Sequence, residues 1–277
     1  MTLKSLLGAI GAAVLVAPVA WAQDTVIARA DMADRITTSD VSFMARDSAS
    51  GATCHLEGSD LESQHAPWST FKLPNLVIAL ELGIAEDLDA MRVWDQQKRP
   101  AAGYWPKDWR QDQDLRSAFR RSAVWYFQDI AVDVGTARYR EVLADWDYGN
   151  ATVPKGSDSF WLASDLRISP VEQVAFVEAL VTGMLDVSDP AIAALTEASF
   201  VWRDDQLALH GKTGSGPTQS GAFEGWYVGW VARADAAPIS FALYTTAPAF
   251  QDLRTFRKDF AIEMLKACAI LPDAEIS

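Results

Sequence analysis

The sequence predicts an α+β fold: a central antiparallel sheet built from both ends of the chain, flanked by helices, with an all-helical subdomain inserted between. Three observations predict it. Short β-branched segments lie near the N-terminus. Three longer aromatic and β-branched segments follow residue 200, and helix signals fill the middle. The 277 residues suffice for a real core, and 49% apolar content excludes a disordered chain. A net charge of −13 argues against nucleic acid as a partner.

Residues 1–22 read as a secretory signal. Lys4 supplies the positive start, Leu6 to Val19 the apolar stretch, and Ala20-Trp21-Ala22 the small-x-small cleavage pattern. The apolar stretch is short and contains Pro18, which argues against a membrane anchor. The expected product is periplasmic, with no membrane association after cleavage. Cys54 and Cys268 lie far apart in sequence. An oxidising compartment permits a bridge, but the expectation is two buried thiols.

Residues 24–40 are polar and carry no clear signal. Val41 to Ala45 and Ala52 to Leu56 read as strands around a Ser50-Gly51 turn. The run from Leu73 to Gly83 reads as a buried helix starting near Ser69 and ending at Gly83. Further helices are expected over Asp112 to Phe119, over Ala123 to Val134 with Ser122 as its cap, and over Thr136 to Ala144. Ser169-Pro170-Val171-Glu172 is a capping box that opens another. Strands are expected at Leu207 to Leu209, Trp226 to Val231 and Ile239 to Thr245, and a final helix over Arg257 to Ala269. The α/β part then comprises about residues 23–68 and 203–277, and the helical part about 69–202.

Three short motifs carry chemistry. Ser69-Thr70-Phe71-Lys72 puts a hydroxyl and an amine on one helical face. A hydroxyl becomes a useful nucleophile only when a base takes its proton, and a buried, neutral lysine can be that base. Such a pair is common by chance, and a helix cap beside a solvated lysine is the ordinary explanation for an isolated match. Ser122-Ala123-Val124 and Lys212-Thr213-Gly214 follow downstream. The last is not a phosphate loop, because Gln206 stands where that loop needs glycine. His55, His65 and His210 are scattered without metal-ligand spacing, so no metal is expected and a zinc-dependent hydrolase is excluded.

The order S-x-x-K, S-x-V, K-T-G resembles the penicillin-recognising serine enzymes. Further landmarks narrow this to the class D serine β-lactamases, the oxacillinases. They are Tyr148-Gly149-Asn150, Phe160-Trp161-Leu162, Ile168-Ser169-Pro170, and Gly225-Trp226-Tyr227-Val228-Gly229-Trp230. The resemblance covers roughly residues 40–272 and implies a β-lactamase/transpeptidase-like fold, so that residues 23–277 form the catalytic domain. It implies that Ser69 is the nucleophile and Lys72 the base, carboxylated by CO2 or bicarbonate to N6-carboxylysine. Val124 and the Trp161 indole would support that group. It further implies that Ser122 relays a proton toward the lactam nitrogen, with Lys212 beside it as a fixed positive charge. The N–H groups of Ser69 and Ser215 would form an oxyanion hole, and Thr213 and Arg257 would hold the substrate carboxylate, with Arg254 the alternative anchor. The expected partner is a β-lactam, the expected assembly a monomer or homodimer, and the competing reading a penicillin sensor that keeps its acyl group. Trp68 departs from the small residue that many relatives carry before the nucleophile.

Overall fold

The computed structural model describes residues 23–162, 165–274 and 276; the predicted signal segment lies outside them. The chain opens with β1 (Thr25–Ile27), β2 (Ser39–Asp47) and β3 (Thr53–Leu56). A tight 3-10 turn, Trp68–Phe71, leads into α1 (Lys72–Glu81). Next come the two-residue strands β4 (Met91–Arg92) and β5 (Gln113–Asp114), then α2 (Leu115–Arg121), α3 (Val124–Val134), α4 (Thr136–Asp145), α5 (Pro170–Val181) and α6 (Asp189–Ser199). The chain closes with β6 (Phe200–Arg203), β7 (Leu207–Pro217), β8 (Phe223–Arg233), β9 (Ala236–Ala247), α7 (Phe250–Leu253) and α8 (Phe256–Ala267).

Seven strands form one sheet in the order β1-β3-β2-β9-β8-β7-β6. Among the described strand pairs, only β1–β3 is parallel. Side chains alternate between two cores, as the period of a strand requires. Tyr227, Val231, Phe241 and Leu243 face α8, whereas Trp226, Val228, Trp230 and Tyr244 face the helical side. Both faces are therefore covered, which explains why these strands read as near-continuous apolar runs.

The capping box at Ser169 is present in full, with the Glu172 carboxylate accepting from the Ser169 N–H at 2.7 Å. Three expectations need correction. Cys54 and Cys268 are joined by a disulfide, with their Cα atoms 6.1 Å apart. Separation along the chain is no guide here, because the sheet gathers strands from both termini and α8 lies beside β2 and β9. Ser122 does not cap α3. It ends α2 in the left-handed conformation, φ 59°, and Ala123 precedes α3 without a side-chain cap. The helix predicted from Asp112 starts instead at Leu115, where Asp114 caps it through the Ser117 N–H.

Among the described residues, no helix is long and apolar enough to cross a membrane.

Candidate active site

The tight turn at Trp68–Phe71 presents Ser69. Trp68, Thr70 and Phe71 are buried, and Ser69 alone of the four is half-exposed. Thr70 is pinned twice: its hydroxyl donates to the Pro67 carbonyl at 2.6 Å and accepts from Gln173 of α5 at 3.0 Å. The turn lies directly on β7. A Cβ at Gly214 would sit 2.8 Å from the Pro67 carbonyl and 3.1 Å from the Ser69 nitrogen. Glycine is required there because two backbones meet. Strand β6 pairs with β7 only as far as His210, so among the described residues the β7 edge beyond it carries no strand neighbour and faces the turn.

Two serine–lysine pairs converge on this edge. Lys72 Nζ is 3.0 Å from Ser69 Oγ. Lys212 Nζ donates to Ser122 Oγ, and to the Thr213 carbonyl at 3.0 Å. Because Ser122 takes no part in capping α3, its hydroxyl is free for that contact. Lys72 is fully buried. Burial first, and then the nearby Lys212 charge, hold its pKa well below the ordinary lysine range. Lys212 is brought down to about 7, by burial and then by the Arg257 charge. Neither amine has a carboxylate partner among the described contacts, so nothing restores the charged forms. The aromatic rings of Phe127 and Phe119 lie 5.0 and 5.8 Å from the two nitrogens.

Trp161 is fully buried, and its indole N–H has no acceptor among the described residues. Its ring stacks on Phe71, the residue before Lys72, with centroids 5.3 Å apart. A buried donor without a partner is costly, so this one marks a place where an acceptor fits. Val124 is half-buried, three residues before Phe127 on the same face of α3.

Thr213 and Ser215 are half-buried on the face of β7 opposite Lys212 and Gly214. Arg257 is buried beside them, donating to the Gly214 carbonyl at 2.6 Å and the Leu253 carbonyl at 2.9 Å. Its stem runs across Gly225, where a Cβ would lie 2.6 Å from Arg257 Cδ. Burial lowers its pKa to about 10, which leaves it cationic at neutral pH. Arg254 is exposed.

One functional candidate was not visible in the sequence. Glu224 of β8 is buried and accepts from the Trp68 indole at 2.6 Å. A single glutamate between Phe223 and Gly225 carries no signal of burial. A cleft of ≈ 470 Å³ borders Glu224, His65, Arg167, Thr218, Ser220 and Tyr244, but contains none of the Ser69 and Lys72 chemistry. The reactive pair, not the cleft's size, locates the site.

A half-exposed serine beside a buried lysine, with a second pair made by Ser122 between α2 and α3 and Lys212 on β7, is the arrangement of the penicillin-recognising serine proteins. The comparisons agree. The model of the penicillin binding protein transpeptidase domain matches residues 35–257, and the chain belongs to that family. Its similarities place it on the class D branch. Beta-lactamase OXA-48 of Klebsiella pneumoniae is 34% identical over 74% of this chain and 75% of its own. Against three Pseudomonas aeruginosa β-lactamases the match is 38% identical and spans 63% of the relative's length. Among solved structures, a class D β-lactamase from Sebaldella termitidis superposes with a TM-score of 0.79, at 25% identity, covering 90% of this chain and 100% of its own. The C-terminal domain of the Bacillus licheniformis BlaR penicillin-receptor superposes at 0.81, with 27% identity, covering 90% and 98%.

Proposed function

We propose that the chain hydrolyses β-lactams, penicillins among them, through an acyl-enzyme on Ser69. The observation that carries this reading is the 3.0 Å contact between a half-exposed hydroxyl and a buried amine whose charged form is disfavoured. A neutral Lys72 accepts the Ser69 proton as Oγ attacks the lactam carbonyl. The N–H groups of Ser69 and Ser215 receive the developing oxyanion. The C–N bond then breaks, and Ser122 passes the proton held by Lys72 to the leaving nitrogen, with Lys212 beside it as a fixed positive charge, so that Lys72 is neutral again. Neutral Lys72 next takes a proton from a water that attacks the ester, and returns it to Ser69 Oγ as the ester C–O bond breaks and Ser69 is released. Thr213 and Arg257 hold the substrate carboxylate; Arg257 suits this better than exposed Arg254, because a buried guanidinium is rigid and poorly screened.

The family resemblance adds a carbamate on Lys72, formed with CO2. The Trp161 indole fits it as a hydrogen-bond donor, with Val124 and Phe127 as dry walls. When present it supplies an anionic base where the amine alone supplies a neutral one. The proposed setting is the periplasm, reached by way of residues 1–22.

A second reading is a penicillin receptor that is acylated and does not turn over, favoured by the likeness to the BlaR receptor domain. Steady-state hydrolysis of a chromogenic cephalosporin, with and without bicarbonate, separates the two. Repeated turnover raised by bicarbonate is expected, and a single stoichiometric burst would favour the receptor. Lys72→Ala is expected to lower turnover by about 10²–10⁴-fold. Unchanged turnover in that variant would remove Lys72 from the role of base.

A further inference from the structure

Immediately before the nucleophile, Trp68 adopts φ 50°. Non-glycine residues rarely hold this conformation unless their surroundings fix it. Trp68 is fixed at three points. Its backbone N–H donates to the Trp161 carbonyl at 3.0 Å. Its ring lies against Gly216, where an added Cβ would sit 2.2 Å from the indole carbons. Its indole N–H donates to Glu224 Oε1 at 2.6 Å.

Glu224 pairs across the sheet with Gly216, so it sits beside the very position the ring covers. Its other oxygen accepts from the Tyr244 hydroxyl at 3.0 Å, and His65 Nδ1 stands 3.8 Å away. The His65 ring stacks on Tyr244 at 3.8 Å. A buried carboxylate is retained only when hydrogen bonds compensate its lost hydration. Here both oxygens are engaged, yet no chemical step uses the group. What its contacts hold is the conformation of one peptide. That peptide leads into Ser69, so rotation at Trp68 would swing both the Ser69 N–H and its hydroxyl.

We propose that Glu224 is a positioning residue for the nucleophile. Through the Trp68 indole it fixes the left-handed peptide ahead of Ser69, and so sets how the Ser69 hydroxyl meets Lys72 and how its N–H faces the cleft. This rests on Ser69 being the acylated residue.

The test compares the full-length parent with Glu224→Leu, Glu224→Gln, Trp68→Gly and the Trp68→Gly/Glu224→Leu pair. Acylation by benzylpenicillin is followed by intact-protein mass spectrometry at several concentrations, which separates non-covalent binding from the acylation step. Melting curves identify folded variants. Glu224→Leu is expected to slow the acylation step by about tenfold or more, with binding unchanged, as a small misplacement of a reacting group does. Glu224→Gln keeps an acceptor for the indole and is expected to stay near the parent rate. Trp68→Gly takes the left-handed conformation freely but offers no indole, and is expected to fall as far as Glu224→Leu. The pair should fall no further. Should Glu224→Leu fail to fold, Trp68→Gly carries the test alone. A folded Trp68→Gly or Glu224→Leu that acylates at the parent rate would overturn the proposal. If the parent forms no adduct on Ser69, the reading of the nucleophile fails first and this inference with it.

Discussion

Lys72 and Lys212 are buried near one another, and the tasks proposed for them require opposite charge states. Lys72 works as a neutral amine, which burial favours. Lys212 works as a cation beside Ser122, which burial opposes, with its pKa brought down to about 7. Acylation should therefore rise as pH climbs through the lowered pKa of Lys72, and fall again above about pH 7 as Lys212 discharges. A guanidinium stays charged over this range. Lys212→Arg is thus expected to retain acylation and shift the alkaline limb upward, measured by acylation rate against pH. An alkaline limb unmoved in that variant would mean that Lys212 does not set it. The sequence made both lysines legible, because motif spacing ties each to a serine or a glycine. It could not reveal Glu224, whose indole partner lies 156 residues away. Nor could it show that Ser122 ends one helix instead of starting the next. That depends on a left-handed φ, which serine adopts here under tertiary constraint.

At the scale of elements, α5 links local sequence to the nucleophile. Its capping box was readable from four residues, because every part of that motif is local. The same helix packs on β9 and sends Gln173 to Thr70 inside the nucleophile turn. Ser169→Ala removes one cap hydrogen bond and should cost about 1 kcal/mol, lowering Tm by about 2–4 °C. Calorimetry would measure that, and an unchanged Tm would show that Pro170 and packing alone set the helix start. Helix α6 was not anticipated, although Ser188 caps it and a proline lies in its first turn. Its apolar residues are mostly alanines, which give a weak periodic signal. Strand β6 is four residues long and was equally faint.

For the whole molecule, the broad plan was legible: strands at both ends, helices between. Alternation along β8 and β9 is too blurred to assign faces, because the sheet is covered on both sides. The disulfide was the main miss. It ties β3 to the end of α8 across a sequence separation of 214 residues. Closing so long a loop restricts the unfolded chain, and its removal should cost about 2–5 kcal/mol. The Cys54→Ala/Cys268→Ala variant is expected to melt lower than the parent while keeping its rate per folded molecule, because the bridge lies in the core on the α8 side of the sheet. A matching loss of rate at temperatures below melting would show that the bridge also shapes the site.

The most direct measurement is a time-resolved mass spectrum of the protein mixed with benzylpenicillin, with the adduct mapped by peptide. The account predicts one adduct, on the peptide containing Ser69, that appears and then decays as free product accumulates. An adduct on another residue, or no adduct while the ring is still opened, would contradict it.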